Sequence, residues 1–502
     1  MAYEPQTLPI RIPLSPSSRL PTIALCEMLH NTVLTYRKRL PSGKDTGLPT
    51  LDIREYMQSL PEMDRFLTVD ELNADFEAIA AEFPEMATLE RVGTSTLGEP
   101  ISMLTIGNGS KQALLFACPH PNEPIGAMLV HHFARMLTQD ETLRDGLGYT
   151  WNLISCVDPD GTRLNENWFA GPFTVTNYAR NFYRPAGHQQ VEWTFPSFYK
   201  QNYFDRSISE TEMLMRVIDR LQPTLMGSLH NAGFGGVYYY ISHDRPELYD
   251  TLHTMPGWEE LPLRLGEGEA SYAVEFAPAI YKLLSSRDAY DHMETNGADM
   301  STFSHGGSSF EYAEKYDTFT FVTEMAYFDD PRVNDTTVTE TTRREAILKD
   351  LDNSEADYGV VTRTLDAVKD DLKTDSLFQD AISSFAHMHA ESLSAERTWA
   401  ESDPSTERMA TVAELFSSNQ EGRFYRLLVL GMLLRMLEGE INVGNGTPKI
   451  RNGYKEALAA FTESSSQLES ELNYRAVPIR KLVAVQLGSV LASAQLLADS
   501  SH

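Results

Sequence analysis

The stretch ALLFACPHPNEPIGAMLVHH (residues 113–132) decides how this chain is read. An apolar run, Ala113–Cys118, stops two residues before His120; Glu123 follows three residues later, and a helix-like run starts at once. A short apolar run of that length reads as a buried strand, and the residues after Pro124 carry helical apolar spacing. In open α/β sheets ligands bind beyond the carboxyl ends of the strands. His120 and Glu123 stand at such an end. An i,i+3 His/Glu pair on one turn can aim both side chains at one point, but His-x-x-Glu alone recurs by chance in many chains.

Outward from this stretch, ISMLTIG (101–107), TWNLISCV (150–157), TLMGSLH (224–230), VYYYIS (237–242) and TFTFVTEM (318–325) read as further strands. TVDELNADFEAIAAEF (68–83) opens with a capping signature and continues at helical spacing. Helical patterns at 124–138 and 207–221 separate several of the strands. This alternation predicts an α/β domain over 66–335, with a mixed, mostly parallel sheet flanked by helices. Residues 1–65 are Pro- and Ser-rich, with one helical pattern near 22–38, and are expected to form an N-terminal extension. After about 336 the strand signals fade. Segments 338–373, 376–396, 406–439, 452–472 and 477–498 show helical spacing and predict a helical bundle domain over 336–502.

The 502 residues are 42% hydrophobic and 10% aromatic, the balance of a folded rather than a disordered chain. A net charge of −29 disfavours nucleic acid and anionic membranes as partners. Cys26, Cys118 and Cys156 lie far apart, so neither a disulfide framework nor a thiolate zinc site is expected. The opening MAYEPQTLPIRIPLSPSSRL lacks the layout of a signal peptide. The apolar run LLVLGMLLRML (427–437) is too short to span a bilayer and contains Arg435. A cytoplasmic protein is expected. The sequence carries no signal for an oligomeric state.

Two more polar residues fall at strand ends: His230 closes TLMGSLH, and Glu324 lies near the end of TFTFVTEM. Two imidazoles and one carboxylate, His120, His230 and Glu123, make a three-ligand zinc set with an open fourth position, the layout of catalytic rather than structural zinc.

The order of blocks is more specific than any one of them. HPNEP is followed by VDPDG (157–161), YARNF (178–182), SISETE (207–212), SLHNAG (228–233), GGSS (306–309) and FTFVTEM (319–325), with GTSTLGEPISMLTIG (93–107) upstream. Over about residues 66–330 this succession resembles the M14-type zinc carboxypeptidases. The resemblance implies a carboxypeptidase A-like catalytic domain with zinc on His120, Glu123 and His230. It implies Glu324 as the group that activates water, Arg180 as the grip on the substrate's terminal carboxylate, and Ser309 at the base of the pocket that reads the terminal side chain. The implied substrate is a peptide or small peptide-like molecule, cut at an amide bond next to a free carboxylate.

The pattern is also edited. Where the family has an asparagine before the gripping arginine, this chain has Ala179, so one hydrogen bond to the carboxylate is lost unless Asn181 replaces it. Phe169 stands where an arginine polarises the scissile carbonyl, which leaves Arg163 or Arg184 to take over. Thr302 stands at the position of the mobile tyrosine, and Tyr312 and Tyr316 are the nearby candidates. Glu311 lies close to the pocket residue, where an acid would favour a basic side chain; in so acidic a chain it reads as an exposed surface acid. Residues 243–272 read as a long insertion shaping the mouth of the site, with His243 and His253 in surface or packing roles. Two other readings keep the fold: an N-acyl amino acid deacylase of the aspartoacylase and desuccinylase type, and a catalytically silent binding protein. The helical character of 336–502 disfavours the first, and an intact Glu324 disfavours the second.

Overall fold

A computed structural model describes residues 50–301 and 303–500. The helical pattern near 22–38, Cys26, most of the 1–65 segment and Thr302 lie outside the described residues. Nine strands make the main sheet: β1 (Ala87–Thr94), β2 (Pro100–Ile106), β3 (Lys111–Ala117), β4 (Tyr149–Ile154), β5 (Leu225–Leu229), β6 (Tyr238–Ile241), β7 (Glu275–Ala277), β8 (Ile280–Lys282) and β9 (Phe319–Glu324). Their order across the sheet is β1-β2-β4-β3-β5-β9-β6-β8-β7. The central strands β4, β3, β5 and β9 run parallel. The flanks β1–β2, β2–β4 and β9–β6 pair antiparallel, so the sheet is mixed, as the alternation of elements predicts.

The central strands read as unbroken apolar runs because both of their faces are covered. On one face Leu114, Phe116, Ile154 and Met226 join Met213, Leu214, Val217 and Ile218 in a single core. The last four belong to the helix Ser209–Leu221. The helices used below are α1 (Ile53–Gln58), α2 (Val69–Glu82), α3 (Ile125–Gln139), α4 (Val175–Asn181), α5 (Ser209–Leu221), α6 (Pro246–Trp258), α7 (Arg343–Val368), α8 (Leu377–Ser402), α9 (Gly422–Asn442), α10 (Pro448–Glu471) and α11 (Ile479–Ser500). Thr68 and Glu71 close the capping box that starts α2, as the sequence signature requires. On the opposite face α3 and α11 cover the sheet. Gly126, in the first turn of α3, lies against Leu229 and Ala117, where a Cβ would collide. Its missing side chain lets the start of α3 come down onto the strand ends, carrying Glu123 with it.

The C-terminal residues are mainly helical, with three short strands among them. Val338–Thr342, rich in β-branched residues, pairs with Met409–Thr411, and Arg475–Ala476 pairs with Ala326–Asp329. The described residues form one compact unit, and α11 packs against α1, α3, α6 and β5. By length and hydropathy α11 is able to cross a membrane, yet 78% of its apolar window is buried inside the fold, the environment of a core helix.

Close approach also fixes α4, which lies on α9. Gly431 of α9 faces the Ala179 carbonyl so closely that a Cβ would overlap it. Arg435, one turn further on, donates to the carbonyls of Asn181, Phe182 and Leu164 at 2.6, 3.1 and 2.8 Å. Gly431→Ala is expected to lower the unfolding free energy by about 1–3 kcal/mol, the usual cost of overpacking a rigid contact. Chemical denaturation would read this as a lower midpoint at unchanged slope.

Candidate active site

Three adjacent parallel strands, β3, β5 and β9, deliver His120, His230 and Glu324 to one edge of the sheet. After β3 the chain turns sharply. Cys118 takes the left-handed region (φ 52°), uncommon for a side-chain-bearing residue, and the Glu123 amide donates to the His120 carbonyl at 3.0 Å. That turn folds His120 and Glu123 toward each other. His120 Nδ1 lies 3.1 and 3.2 Å from the two Glu123 oxygens. From β5, His230 Nδ1 lies 3.1 Å from His120 Nδ1 and 3.1 Å from Glu123 Oε2. All three residues are buried.

This donor set fits a metal ion. Two imidazole nitrogens and a carboxylate oxygen facing one point concentrate lone pairs that a cation satisfies. Tetrahedral zinc with bonds of about 2.0–2.1 Å sets neighbouring ligand atoms roughly 3.3 Å apart, close to these spacings. Among the described residues this is the one group of three ionisable side chains suited to a metal. Burial, followed by the Arg184 charge, pulls the His120 pKa down to about 4, leaving its ring neutral and able to ligate. Burial acts to raise the Glu123 carboxyl, but His120 and His230 outweigh it and hold Glu123 well below the usual carboxylate range. His230 is raised to about 10: burial opposes its charge, and the Glu123 and Glu192 carboxylates prevail.

Glu324 is buried at the end of β9. Burial, then the Glu269 and Glu123 charges, raise its carboxyl well above the ordinary value, while His230 and Arg184 oppose them. Glu269 lies within residues 243–272 and accepts hydrogen bonds from Tyr238 and Tyr240 at 2.5 and 2.9 Å. A buried carboxyl whose pKa is displaced in this way is suited to taking up and releasing a proton.

The arginines differ from the expectation. Arg180 pairs with Glu438 of α9 at 2.6 Å, because docking Ala179 onto Gly431 lays the end of α4 along that helix. Arg163 is held by Glu99 and Asp70 at 3.1 and 2.7 Å. Among the described residues, Arg184 is the arginine that reaches the His120–Glu123–His230 group. Its Nη1 lies 3.3 Å from Glu123 Oε1, its Nε donates to Gln190 at 2.9 Å, and its guanidinium covers the Trp193 ring. Asn181 turns back to Asn177 within α4. Phe169 is buried in an aromatic cluster with Phe66 and Trp168. Tyr312 and Tyr316 both donate to Asp219, and Glu311 caps Ser308 and binds Ser286. The His243 ring stacks on Phe319, and His253 bonds the Pro278 carbonyl.

Ser309 does connect to the site, through a residue the sequence reading missed. The buried Glu192 accepts from the Ser309 amide at 2.7 Å, the Ser309 hydroxyl at 2.8 Å and the Ser228 hydroxyl at 2.6 Å. A glutamate inside the apolar run VEWTF is the one signal that marked it, since an acid is almost never fully buried unless paired. Gln486 of α11 was missed as well; it donates to the His230 carbonyl at 2.8 Å and braces that residue.

No curated protein matches the sequence. Solved structures similar to it include a metallo-carboxypeptidase from Burkholderia cenocepacia, at 14% identity, covering 52% of this chain and 60% of that one with a TM-score of 0.31. Another is the carboxypeptidase A from Helicoverpa armigera, at 13% identity, covering 76% of this chain and 82% of that one with a TM-score of 0.33. Scores so low carry no argument by themselves. Residues 72–337, more than half of the chain, match the family model described as zinc carboxypeptidase, and the chain belongs to that family.

Proposed function

We propose that this protein is a zinc-dependent peptidase that removes the terminal residue from a peptide or small peptide-like substrate bearing a free carboxylate. The observation that carries the reading is the meeting of His120, Glu123 and His230, with Glu324 on the next strand. His120, Glu123 and His230 would hold the zinc, which when bound would lower the pKa of a water toward about 7 and polarise a carbonyl. Glu324 accepts the proton released by the attacking water and passes it to the leaving amine. Burial keeps that proton from bulk solvent between the two transfers.

A free carboxylate entering this site needs a fixed cation, since an unpaired buried charge costs several kcal/mol. With Arg180 engaged by Glu438, we assign that role to Arg184. Stacking on Trp193 and the bond to Gln190 hold its planar guanidinium beside the metal ligands, a donor shape that suits a carboxylate. The test is hydrolysis of matched peptides with free and amidated C-termini, beside N-acyl amino acids. Cleavage confined to the free peptides is expected. Equal cleavage of amidated peptides would overturn the exopeptidase reading, preference for N-acyl amino acids would favour deacylation, and no hydrolysis of any substrate would favour a binding protein.

A further inference from the structure

We propose that Glu192 is a positioning residue for the metal site, setting the tautomer of His230 through Ser228. The inference rests on the metal-site reading above and concerns residues outside the ligand set. Glu192 is buried with three donors on its two oxygens: the Ser228 hydroxyl, the Ser309 hydroxyl and the Ser309 amide. A group so surrounded is an acceptor-only carboxylate. The Ser228 hydroxyl has one hydrogen, and the 2.6 Å contact to Glu192 Oε1 consumes it, the short distance expected of a hydrogen bond to a charged oxygen. Ser228 Oγ also lies 2.9 Å from His230 Nε2. With its hydrogen committed, Ser228 accepts there, so Nε2 of His230 carries the proton and donates. Once His230 gives up its second proton in order to ligate, the neutral ring has its lone pair on Nδ1, the atom that faces His120 Nδ1 and Glu123. The reverse assignment, Ser228 donating to His230, would press two acceptor oxygens together at 2.6 Å. Glu192 itself stands 3.9 Å from Nε2, too far to bond, so the effect passes through the hydroxyl.

Hydrogen-bonded partners behind metal-bound histidines typically account for 10–100-fold in metal affinity. The experiment is zinc affinity, by competition with a chromophoric chelator, for the wild type, Glu192→Gln, Ser228→Ala and the double variant. Melting of each metal-free protein serves as a control for folding. In Glu192→Gln the amide NH2 avoids the Ser309 N–H by facing the serine hydroxyls, where it donates to Ser228 and frees that hydroxyl to turn and donate to His230. Each single variant is expected to bind zinc about 10–100-fold more weakly. The double variant is expected to bind no more weakly than the worse single one, because both changes break one relay. Affinities within about threefold of wild type in both singles, or losses that multiply in the double variant, would overturn the proposal. If Glu192→Gln does not fold, Ser228→Ala, which removes one oxygen atom, decides alone by the same threefold criterion. A wild type that binds no zinc would overturn the metal reading together with this one.

Discussion

Glu324→Gln is expected to keep its zinc and lose about 10²–10⁴-fold in kcat, the usual worth of a positioned general base. The amide is nearly the same size as the carboxylate and sits in the same buried place at the end of β9, so packing is preserved. What disappears is the capacity to take a proton. Burial and the neighbouring charges make this residue the sensitive one. Burial, then Glu269 and Glu123, push its carboxyl up, His230 and Arg184 pull it down, and such opposition prepares a group to change protonation during a reaction. Stopped-flow or steady-state hydrolysis, with metal content measured on the same samples, checks the result. Turnover within tenfold of wild type with zinc retained would remove Glu324 from the chemistry.

Arg184→Ala is expected to lose about 2–5 kcal/mol in transition-state stabilisation on substrates with a free carboxylate, roughly 30-fold or more in kcat/KM. Amidated analogues, poor for the wild type, should change little. Arg184→Lys should recover part of the loss, since it restores the charge without the planar fork or the stacking on Trp193. Arg180→Ala sets the contrast. Its pair with Glu438 is about one quarter exposed on the arginine side and more so on the glutamate, and such pairs contribute up to about 1 kcal/mol to stability. Its kcat/KM should therefore stay near the wild-type value. A large loss in Arg180→Ala with none in Arg184→Ala would reverse the assignment.

The difference between these arginines shows where the sequence stops being legible. The strand ends were readable because a period-based signal and a ligand type coincide: Ala113–Cys118 must be buried, so whatever follows emerges at the sheet edge. YARNF was readable as a block but not in its direction. The direction of Arg180 depends on Gly431 and Glu438, about 250 residues further along, and no local pattern joins them. Glu192 was hidden for the same reason: its partners Ser228 and Ser309 lie 36 and 117 residues away. The helical character of the C-terminal part was plain from apolar spacing. That α11 lies against the sheet and reaches His230 through Gln486 is a matter of tertiary packing alone.

Zinc titration of the metal-free protein, read both as binding and as recovery of hydrolysis, addresses the central claim most directly. We expect one zinc per chain, activity that rises in proportion and saturates at that ratio, and loss of both in Glu123→Ala and His230→Ala. Absence of stoichiometric binding, or equal zinc binding by the wild type and His230→Ala, would contradict the account.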